Sequence, residues 1–278
     1  MYPTGERRQL DVLGVRIAYR VWGRPAAETV VLVPGAGAHG GWWQELARRL
    51  EDDLRLVAVD LSGCGDSDHR PEGYEVGVWA AELNALIEHE ADGRAPVIGH
   101  SNGGRVAVIA ACRYPGAFDG VLMIDSPTRR PTADGRDLGS RFEPGPPRLH
   151  SSQEQAVASF RLQPHEAVEN RELLLTVATE SFRQGEGGWS LKADPRGYQV
   201  VEERDLAACL EATDVPAVLV YGDQSVVVRP ADVEFFLEAH PGPHEAVPIV
   251  GGRHHLLFDH GERLEILIRE FVAGRPSG

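Results

Sequence analysis

The sequence predicts an α/β protein with a mostly parallel, eight-stranded sheet, helices on both faces of the sheet, and one helical cap inserted between two strands. Short apolar runs alternate with amphipathic stretches through most of the chain, as expected when strands and helices alternate. The apolar runs contain almost no polar residues, which indicates strands that are covered on both faces. From residue 127 to about residue 214 this alternation stops, and helical patterns take its place.

The chain is predicted to open with two antiparallel strands over 10–22, with a turn at 13–15. Buried strands are predicted at 29–33, 54–59, 96–98, 121–124 and 217–220. Amphipathic helices are predicted at 42–50, 76–90, 103–113, 230–239 and 261–272. With a last strand before the histidines at 254 and 255, the sheet has about eight strands.

The break in the alternation predicts the domain organisation. The expected division is a core made of 1–126 and 214–278, and a helical cap or lid made of 127–213. The first part of the cap, 131–147, is rich in proline, glycine and charge. Two helices are predicted after it, at 151–160 and 166–182. The glycine-rich turn before Trp189 has two interpretations, a hinge that lets a lid move and an ordinary exposed loop.

The composition narrows the classes of function. Of the 278 residues 42% are hydrophobic and 25% charged, which is typical of a globular protein. The formal net charge of −14 disfavours partners such as nucleic acid and anionic lipid. We expect no membrane association, because no apolar run approaches a transmembrane length and the N-terminus does not resemble a secretory signal. Three widely spaced cysteines indicate a reducing compartment, and a cytoplasmic location is predicted.

The sharpest motif is a Gly-x-Ser-x-Gly sequence centred on Ser101. A buried strand leads into Gly99, and a helix rich in alanine and valine follows Gly103. This order fits a sharp strand-to-helix turn that presents a serine hydroxyl at the carboxyl end of the sheet. Glycines are expected there because a Cβ atom would collide with neighbouring backbone. Ser101 is the predicted nucleophile, and the alternative is a serine that only caps the helix.

This motif and three further segments resemble the α/β-hydrolase superfamily. Residues 31–37, which end in Pro-Gly-Ala-Gly, are similar to the family's first oxyanion loop, with Pro34 where most members have histidine. Residues 59–67 are similar to the turn after the fourth strand. Residues 250–255 are similar to the segment that carries the catalytic histidine.

The resemblance implies that the backbone N–H groups of Ala36 and Asn102 form the oxyanion hole. Backbone donors do not depend on the side chain. Proline at position 34 therefore removes a side-chain contact but leaves both N–H donors in place. The same loop lacks the Gly-Lys-Ser/Thr ending of a phosphate-binding loop. Nucleotide binding is therefore not expected.

Of the eleven histidines, His254 is the predicted base. It follows the last strand and comes after the serine and the candidate acids, which is the order that the family requires. His255 remains an alternative, because adjacent side chains point in different directions. His100 is expected to pack in the pocket. No metal is expected, since the histidines and acids of 244–260 lack the helical His-Glu-x-x-His spacing and a nearby cysteine.

The carboxylate that would pair with the catalytic histidine is not at the family's usual position. Most members end the strand after the insertion in Gly-x-x-Asp, and this chain has Ser225 at the aspartate position. A hydroxyl cannot stabilise an imidazolium as a carboxylate does. Asp125 is the preferred acid, because it ends a strand beside the serine strand, as in some branches such as the haloalkane dehalogenases. Asp223 is the alternative, since in an extended chain it shares a face with Ser225.

Together these residues predict a serine hydrolase that needs no cofactor and acts on a small or medium uncharged ester, thioester or lactone. The residues expected to bind this small-molecule substrate are Gly35, Trp42, His100 and Trp189, with Trp43, Phe182 and Tyr198 as further candidates. Two alternatives remain open. Carbon–carbon bond hydrolases, lyases and cofactor-free dioxygenases use a similar triad, and a non-catalytic ligand-binding protein could keep the fold. A monomer or homodimer is expected.

Overall fold

The computed structural model describes residues 2–131, 148–198 and 201–274 of the chain. The strands are β1 (Glu6–Val12), β2 (Val15–Trp22), β3 (Glu28–Val33), β4 (Leu54–Val59), β5 (Ala95–His100), β6 (Phe118–Ile124), β7 (Phe182–Gly185), β8 (Gly188–Leu191), β9 (Ala217–Gly222) and β10 (His244–Ile249). The helices are α1 (Gln44–Leu50), α2 (Val76–Glu90), α3 (Asn102–Arg113), α4 (Gln153–Ser159), α5 (Arg171–Glu180), α6 (Glu203–Ala212), α7 (Pro230–Ala239), α8 (Leu256–Asp259) and α9 (Gly261–Ala273).

The main sheet has eight strands in the order β1-β2-β4-β3-β5-β6-β9-β10. The first two pairings, β1 with β2 and β2 with β4, are antiparallel. All later pairings are parallel. The predicted α/β fold with a mostly parallel eight-stranded sheet is therefore confirmed.

Helices cover both faces of this sheet, as predicted. The alternation of side chains along a strand sends Val57 and Val59 of β4 into one core and Leu56 and Ala58 into the other. The first core contains buried residues of α2, α3 and α6, and the second contains buried residues of α1, α8 and α9. The central strands are buried on both sides, which explains their nearly uninterrupted apolar sequences.

Two of the elements in the insertion differ from the predicted ones. The helix predicted over 166–182 begins only at Arg171, where the Asn170 side chain accepts the Leu173 N–H at 3.0 Å and caps it. The glycine-rich turn at Gly187, interpreted as a hinge or an exposed loop, joins β7 and β8 in a hairpin whose two strands were not predicted. Its strands are mostly exposed, so they lack the apolar run by which buried strands were recognised.

Helix α6 is an element that the sequence analysis missed. Its Leu206 and Leu210 side chains are fully buried in the core that also contains α3. Part of the segment assigned to the cap thus packs against the side of the sheet. The division at residues 127 and 213 stays a prediction, and the Pro/Gly-rich residues 132–147 lie outside the described residues.

Membrane-spanning segments were searched for along 2–131, 148–198 and 201–274. None of the helices there combines the length and the apolar character that crossing a bilayer requires.

Candidate active site

Ser101 sits in a strained turn between β5 and α3. Its φ is 54° and its ψ is −121°, in a region that residues other than glycine rarely occupy. The Ser101 N–H donates to the Ile124 carbonyl at 2.8 Å, which ties the turn to the neighbouring strand β6. The hydroxyl makes no capping hydrogen bond to α3. The serine is therefore partly exposed and does not cap the helix.

The glycines around Ser101 are required by close backbone packing. A Cβ atom on Gly99 would lie 2.3 Å from the Gly104 nitrogen. One on Gly103 would lie 2.2 Å from the Val33 carbonyl oxygen and 2.5 Å from that of Pro34. The turn can adopt this geometry only because neither residue has a side chain.

We expect Gly103→Ala to lower the free energy of unfolding by about 3 kcal/mol, because the added methyl overpacks rigid backbone. Gly116→Ala is the matched control, since a Cβ atom there has nothing within 4 Å. The measurement is urea unfolding followed by circular dichroism. Equal stability of the two variants would contradict the close packing of this turn.

The loop after β3 lies directly against the serine. A Cβ atom on Gly35 would lie 3.3 Å from both the Ser101 Cβ and the His100 Nδ1. Among the described residues, the backbone N–H groups of Ala36 and Asn102 have no hydrogen-bond partner. These two donors are the ones that the sequence assigned to an oxyanion hole.

His254 and Asp125 form a buried pair. The Nδ1–H of His254 donates to Oδ2 of Asp125 at 2.7 Å, and both side chains are almost completely excluded from solvent. Asp125 directly follows β6, with a positive φ of 45°. The structure thus brings the preferred acid to the preferred base.

The alternative acid points elsewhere. Asp223 is exposed, and its Oδ1 accepts the Gly251 N–H at 2.8 Å. It stabilises the loop before the histidine and makes no hydrogen bond to His254 among the described residues.

Ser225, at the position where most family members have the acid, contacts Asp125 instead. Its hydroxyl donates to Oδ2 of Asp125 at 2.6 Å and accepts the N–H groups of Val227 and Val228. The other carboxylate oxygen, Oδ1, accepts the Gly222 N–H at 2.9 Å. The Gly222 N–H and the Ser225 hydroxyl thus hold the carboxylate that accepts the Nδ1–H of His254. From the sequence, Ser225 was predicted only to lack the carboxylate of the family's usual acid.

The protonation states suit proton transfer. Burial lowers the pKa of His254, so the imidazole is neutral and its Nε2 has a lone pair. Burial raises the pKa of Asp125 to about 6, against the lowering effect of the hydrogen bonds from Ser225 and Gly222. Above that pH the carboxylate is ionised and can stabilise an imidazolium at His254.

We predict that kcat/KM for an ester substrate falls as the pH drops below about 6, because protonated Asp125 no longer stabilises the imidazolium. In Ser225→Ala this fall is expected at a higher pH, since the variant loses a hydrogen bond that lowers the pKa of Asp125. Asp223→Asn serves as the control with an unchanged profile. Coincident pH profiles for Ser225→Ala and the wild type would argue against this role of Ser225.

His255 faces the insertion. Its Nε2–H donates to the Pro164 carbonyl at 3.0 Å, so this nitrogen is engaged away from Asp125. Of the two adjacent histidines, His254 alone makes the hydrogen bond to the acid.

His100, which directly precedes Ser101, packs against Trp42. The Nε2–H of His100 donates to the His254 carbonyl at 3.1 Å, and the His100 ring stacks on Trp42 with centroids 6.4 Å apart. The two rings thereby connect β5 to the segment that carries the base.

The other proposed pocket residues are spread more widely. Tyr198 lies against the oxyanion loop, since a Cβ atom on Gly37 would fall 2.2 Å from its ring. Phe182 packs on His150 inside the insertion. Trp189 is on the hairpin, where its backbone pairs with His150. The contacts of the described residues do not place Trp189 at Ser101, and its substrate-binding role stays a prediction.

Glu166 is a residue of the site that the sequence analysis missed. Its two carboxylate oxygens accept the backbone N–H groups of His254 and His255, each at 3.2 Å. Nearby, Oδ1 of Asp259 accepts the N–H groups of Glu169 and Asn170. Residues 166–170 therefore hold the segment of His254 and His255 in place, but these loop contacts have no periodic pattern in the sequence.

Comparison with known proteins decides the family. Residues 28–261 match the model of the α/β-hydrolase fold family. The chain belongs to this family. As members of it are expected to do, the chain presents a serine at the turn after β5 and a histidine after β10.

The curated relatives are similar to this chain over only part of their own length. A serine hydrolase-like protein of Danio rerio is 33% identical over 109 residues, which cover 38% of this chain and 33% of the relative. A 2-(acetamidomethylene)succinate hydrolase of Mesorhizobium japonicum is 34% identical over 118 residues, 42% of each chain. The matched segment thus spans about a third to two fifths of these relatives.

Solved structures match over almost the whole chain. The thioesterase domain from the curacin biosynthetic pathway has a TM-score of 0.79 at 24% identity and covers 95% of this chain and 98% of its own. An E-2-(acetamidomethylene)succinate hydrolase has a TM-score of 0.78 at 23% identity and covers 96% of this chain and 99% of its own. At this level of identity the likeness establishes the fold.

Proposed function

We propose that this protein is a serine hydrolase that cleaves a small or medium uncharged ester, thioester or lactone by acyl transfer. One observation carries the proposal. The carboxylate of Asp125 accepts the Nδ1–H of His254 at 2.7 Å, at the sheet edge that also presents Ser101. A carboxylate, an imidazole and a serine in a strained turn are the three parts that this chemistry needs. The hydrolase names of the curated relatives agree with it.

The first half-reaction forms an acyl-enzyme. The Oγ of Ser101 bonds to the substrate carbonyl carbon, its proton moves to Nε2 of His254, and the carbonyl electron pair moves onto the oxygen. When the carbonyl re-forms, the bond to the leaving group breaks, and the alcohol or thiol takes the proton from His254. Among the described residues, neither the Ser101 hydroxyl nor the His254 Nε2 has a hydrogen-bond partner. Both groups are thus available for this transfer.

The second half-reaction releases the acid. A water molecule gives a proton to Nε2 of His254 while its oxygen bonds to the acyl carbon, and the carboxylic acid leaves as Ser101 regains its proton. In both halves the negative oxygen is expected to accept the N–H groups of Ala36 and Asn102. Asp125 fixes the tautomer of His254 throughout.

An uncharged acyl group suits the side chains at this edge. Burial lowers the pKa of both His100 and His254, so neutral imidazoles flank Ser101. The predicted cap, without α6, which packs in the core beside the sheet, is proposed to close the pocket. Support comes from Tyr198 against the oxyanion loop and from Glu166 on the histidine segment. Trp42 and Gly35 would form the opposite wall.

The test is a panel of p-nitrophenyl esters of increasing acyl length, acyl thioesters and lactones. At least one is expected to be hydrolysed with kcat/KM of about 10⁴ M⁻¹s⁻¹ or more. Ser101→Ala, purified in parallel, controls for contaminating esterases. Failure to hydrolyse any of the three substrate classes would contradict the proposal. An oxygen electrode distinguishes the hydrolase from the dioxygenase alternative. A dioxygenase would consume dioxygen when heteroaromatic phenols are added as substrates.

A further inference from the structure

Three buried histidine rings meet beside Ser101. His100 comes from the end of β5, and His254 and His255 from the segment after β10. The ring centroids are 4.9 Å apart for His100 and His254, 4.9 Å for His254 and His255, and 6.1 Å for His100 and His255. One ring nitrogen of each lies within 4.8 Å of one from each of the others.

Each ring gives one N–H to a fixed acceptor. His254 donates Nδ1–H to the Asp125 carboxylate, His100 donates Nε2–H to the His254 carbonyl, and His255 donates Nε2–H to the Pro164 carbonyl. Metal-binding histidines almost always have this arrangement, because it fixes the tautomer and directs the other nitrogen's lone pair at the ion.

The remaining ring nitrogens are left with lone pairs and without partners. Nδ1 of His100 and Nδ1 of His255 are buried and make no hydrogen bond among the described residues. A buried polar atom without a partner requires an explanation, and an ion is one of the standard ones. Nε2 of His254 likewise has no partner there.

We propose that His100, His254 and His255 form a binding site for one divalent transition-metal ion, such as Zn²⁺, and that a bound ion blocks the catalytic base. Three imidazole ligands with a fourth position left to water are a common zinc coordination. With Zn–N bonds of about 2.0 Å in tetrahedral geometry, the three nitrogens would be about 3.3 Å apart. The ring nitrogens already lie within 4.8 Å of one another, so small side-chain shifts would form the site. The ion would occupy the lone pair with which His254 accepts the proton of Ser101.

This site differs from the expectation of no metal. That expectation considered only the local cluster of histidines and acids at 244–260, which lacks the helical spacing of a metal motif. His100 is 154 residues away in the chain and joins them only through the pairing of the strands. The block of the base rests on the proposed hydrolase function, whereas binding of the ion does not.

Binding is tested by isothermal titration of the EDTA-treated, desalted protein with Zn²⁺. One ion per chain is expected, with affinity about tenfold or more weaker in His100→Gln and in His255→Gln. His89→Gln, which alters an exposed histidine on α2, is the matched control and is expected to bind like the wild type. No binding to the wild type, or equal binding to all four proteins, would overturn the proposal.

A second readout needs no substitution among the histidines. Co²⁺ added to the wild type is expected to give the intense visible absorption of a tetrahedral nitrogen site, displaced by Zn²⁺. Weak absorption typical of octahedral Co²⁺ would overturn the proposed three-histidine site. This result does not depend on whether the histidine variants fold.

The block of the base is tested separately. Saturating Zn²⁺ is expected to lower the rate of ester hydrolysis at least tenfold, with full recovery after EDTA. An unchanged rate with Zn²⁺ bound would overturn the block. Ser101→Ala is expected to bind Zn²⁺ like the wild type. If the protein turns out not to be a hydrolase, the Zn²⁺ titration still tests the metal site on its own.

Discussion

Ser101→Ala is expected to lower kcat for ester hydrolysis by about 10⁴- to 10⁶-fold, because it removes the hydroxyl proposed to attack the substrate carbonyl. Folding is expected to be unaffected, since the Ser101 hydroxyl makes no capping hydrogen bond. The measurement is steady-state kinetics on the best ester of the panel, with thermal unfolding of the variant as a check.

Ser126→Ala is the matched control for this loss. Ser126 is a buried serine near the same turn, and its hydroxyl donates to the Ile124 carbonyl at 3.3 Å. Removing it is expected to leave kcat within about threefold of the wild type. A large loss of kcat in Ser126→Ala, together with retained activity in Ser101→Ala, would show that Ser101 is not the nucleophile.

Asp125→Asn is expected to lower kcat by about 10⁴-fold. The amide removes the negative charge and favours the wrong tautomer of His254. Asp223→Asn is expected to have nearly full activity, because Asp223 is exposed and bonds the Gly251 N–H instead. Steady-state kinetics on the two variants decide between the acids, and the reverse pattern would make Asp223 the acid.

A relocated acid gives a stricter version of this test. The Ser225 hydroxyl lies 2.6 Å from the carboxylate oxygen that accepts the His254 N–H. The double variant Asp125→Asn, Ser225→Asp has a carboxylate at 225. Its kcat is expected to be at least about tenfold higher than that of the single variant Asp125→Asn. Ser225→Asn in the same background is the control without a charge. No difference between the two double variants would show that position 225 cannot supply the acid.

The strand-to-helix turn could be predicted from the sequence because most of its causes are local. Gly99 is required by contacts with Gly103 and Gly104 in the same motif, and the apolar strand before Ser101 is visible in the sequence. Gly103 is required by the distant backbone of Val33 and Pro34, so the motif predicted this glycine without its cause. The family match over 28–261 confirms the fold that these patterns predicted.

The partners of the histidine could be predicted only in part. Asp125 and Ser225 are 100 residues apart and meet because β6 and β9 are neighbours in the sheet. The choice between His254 and His255 depends on which way two adjacent side chains turn, and periodicity does not determine that. Glu166 lies in irregular chain, where no pattern marks a hydrogen-bonding partner. Helix α6 was missed because its short amphipathic pattern lies in a region interpreted as a cap.

The proposed hydrolysis depends on Ser101 as a nucleophile that His254 activates. The most direct measurement is labelling of the folded protein with a fluorophosphonate, followed by peptide mass spectrometry. We predict one adduct per chain, located on Ser101, and greatly slowed labelling in Asp125→Asn. Absence of labelling in the folded wild type, or an adduct on another residue, would contradict the account.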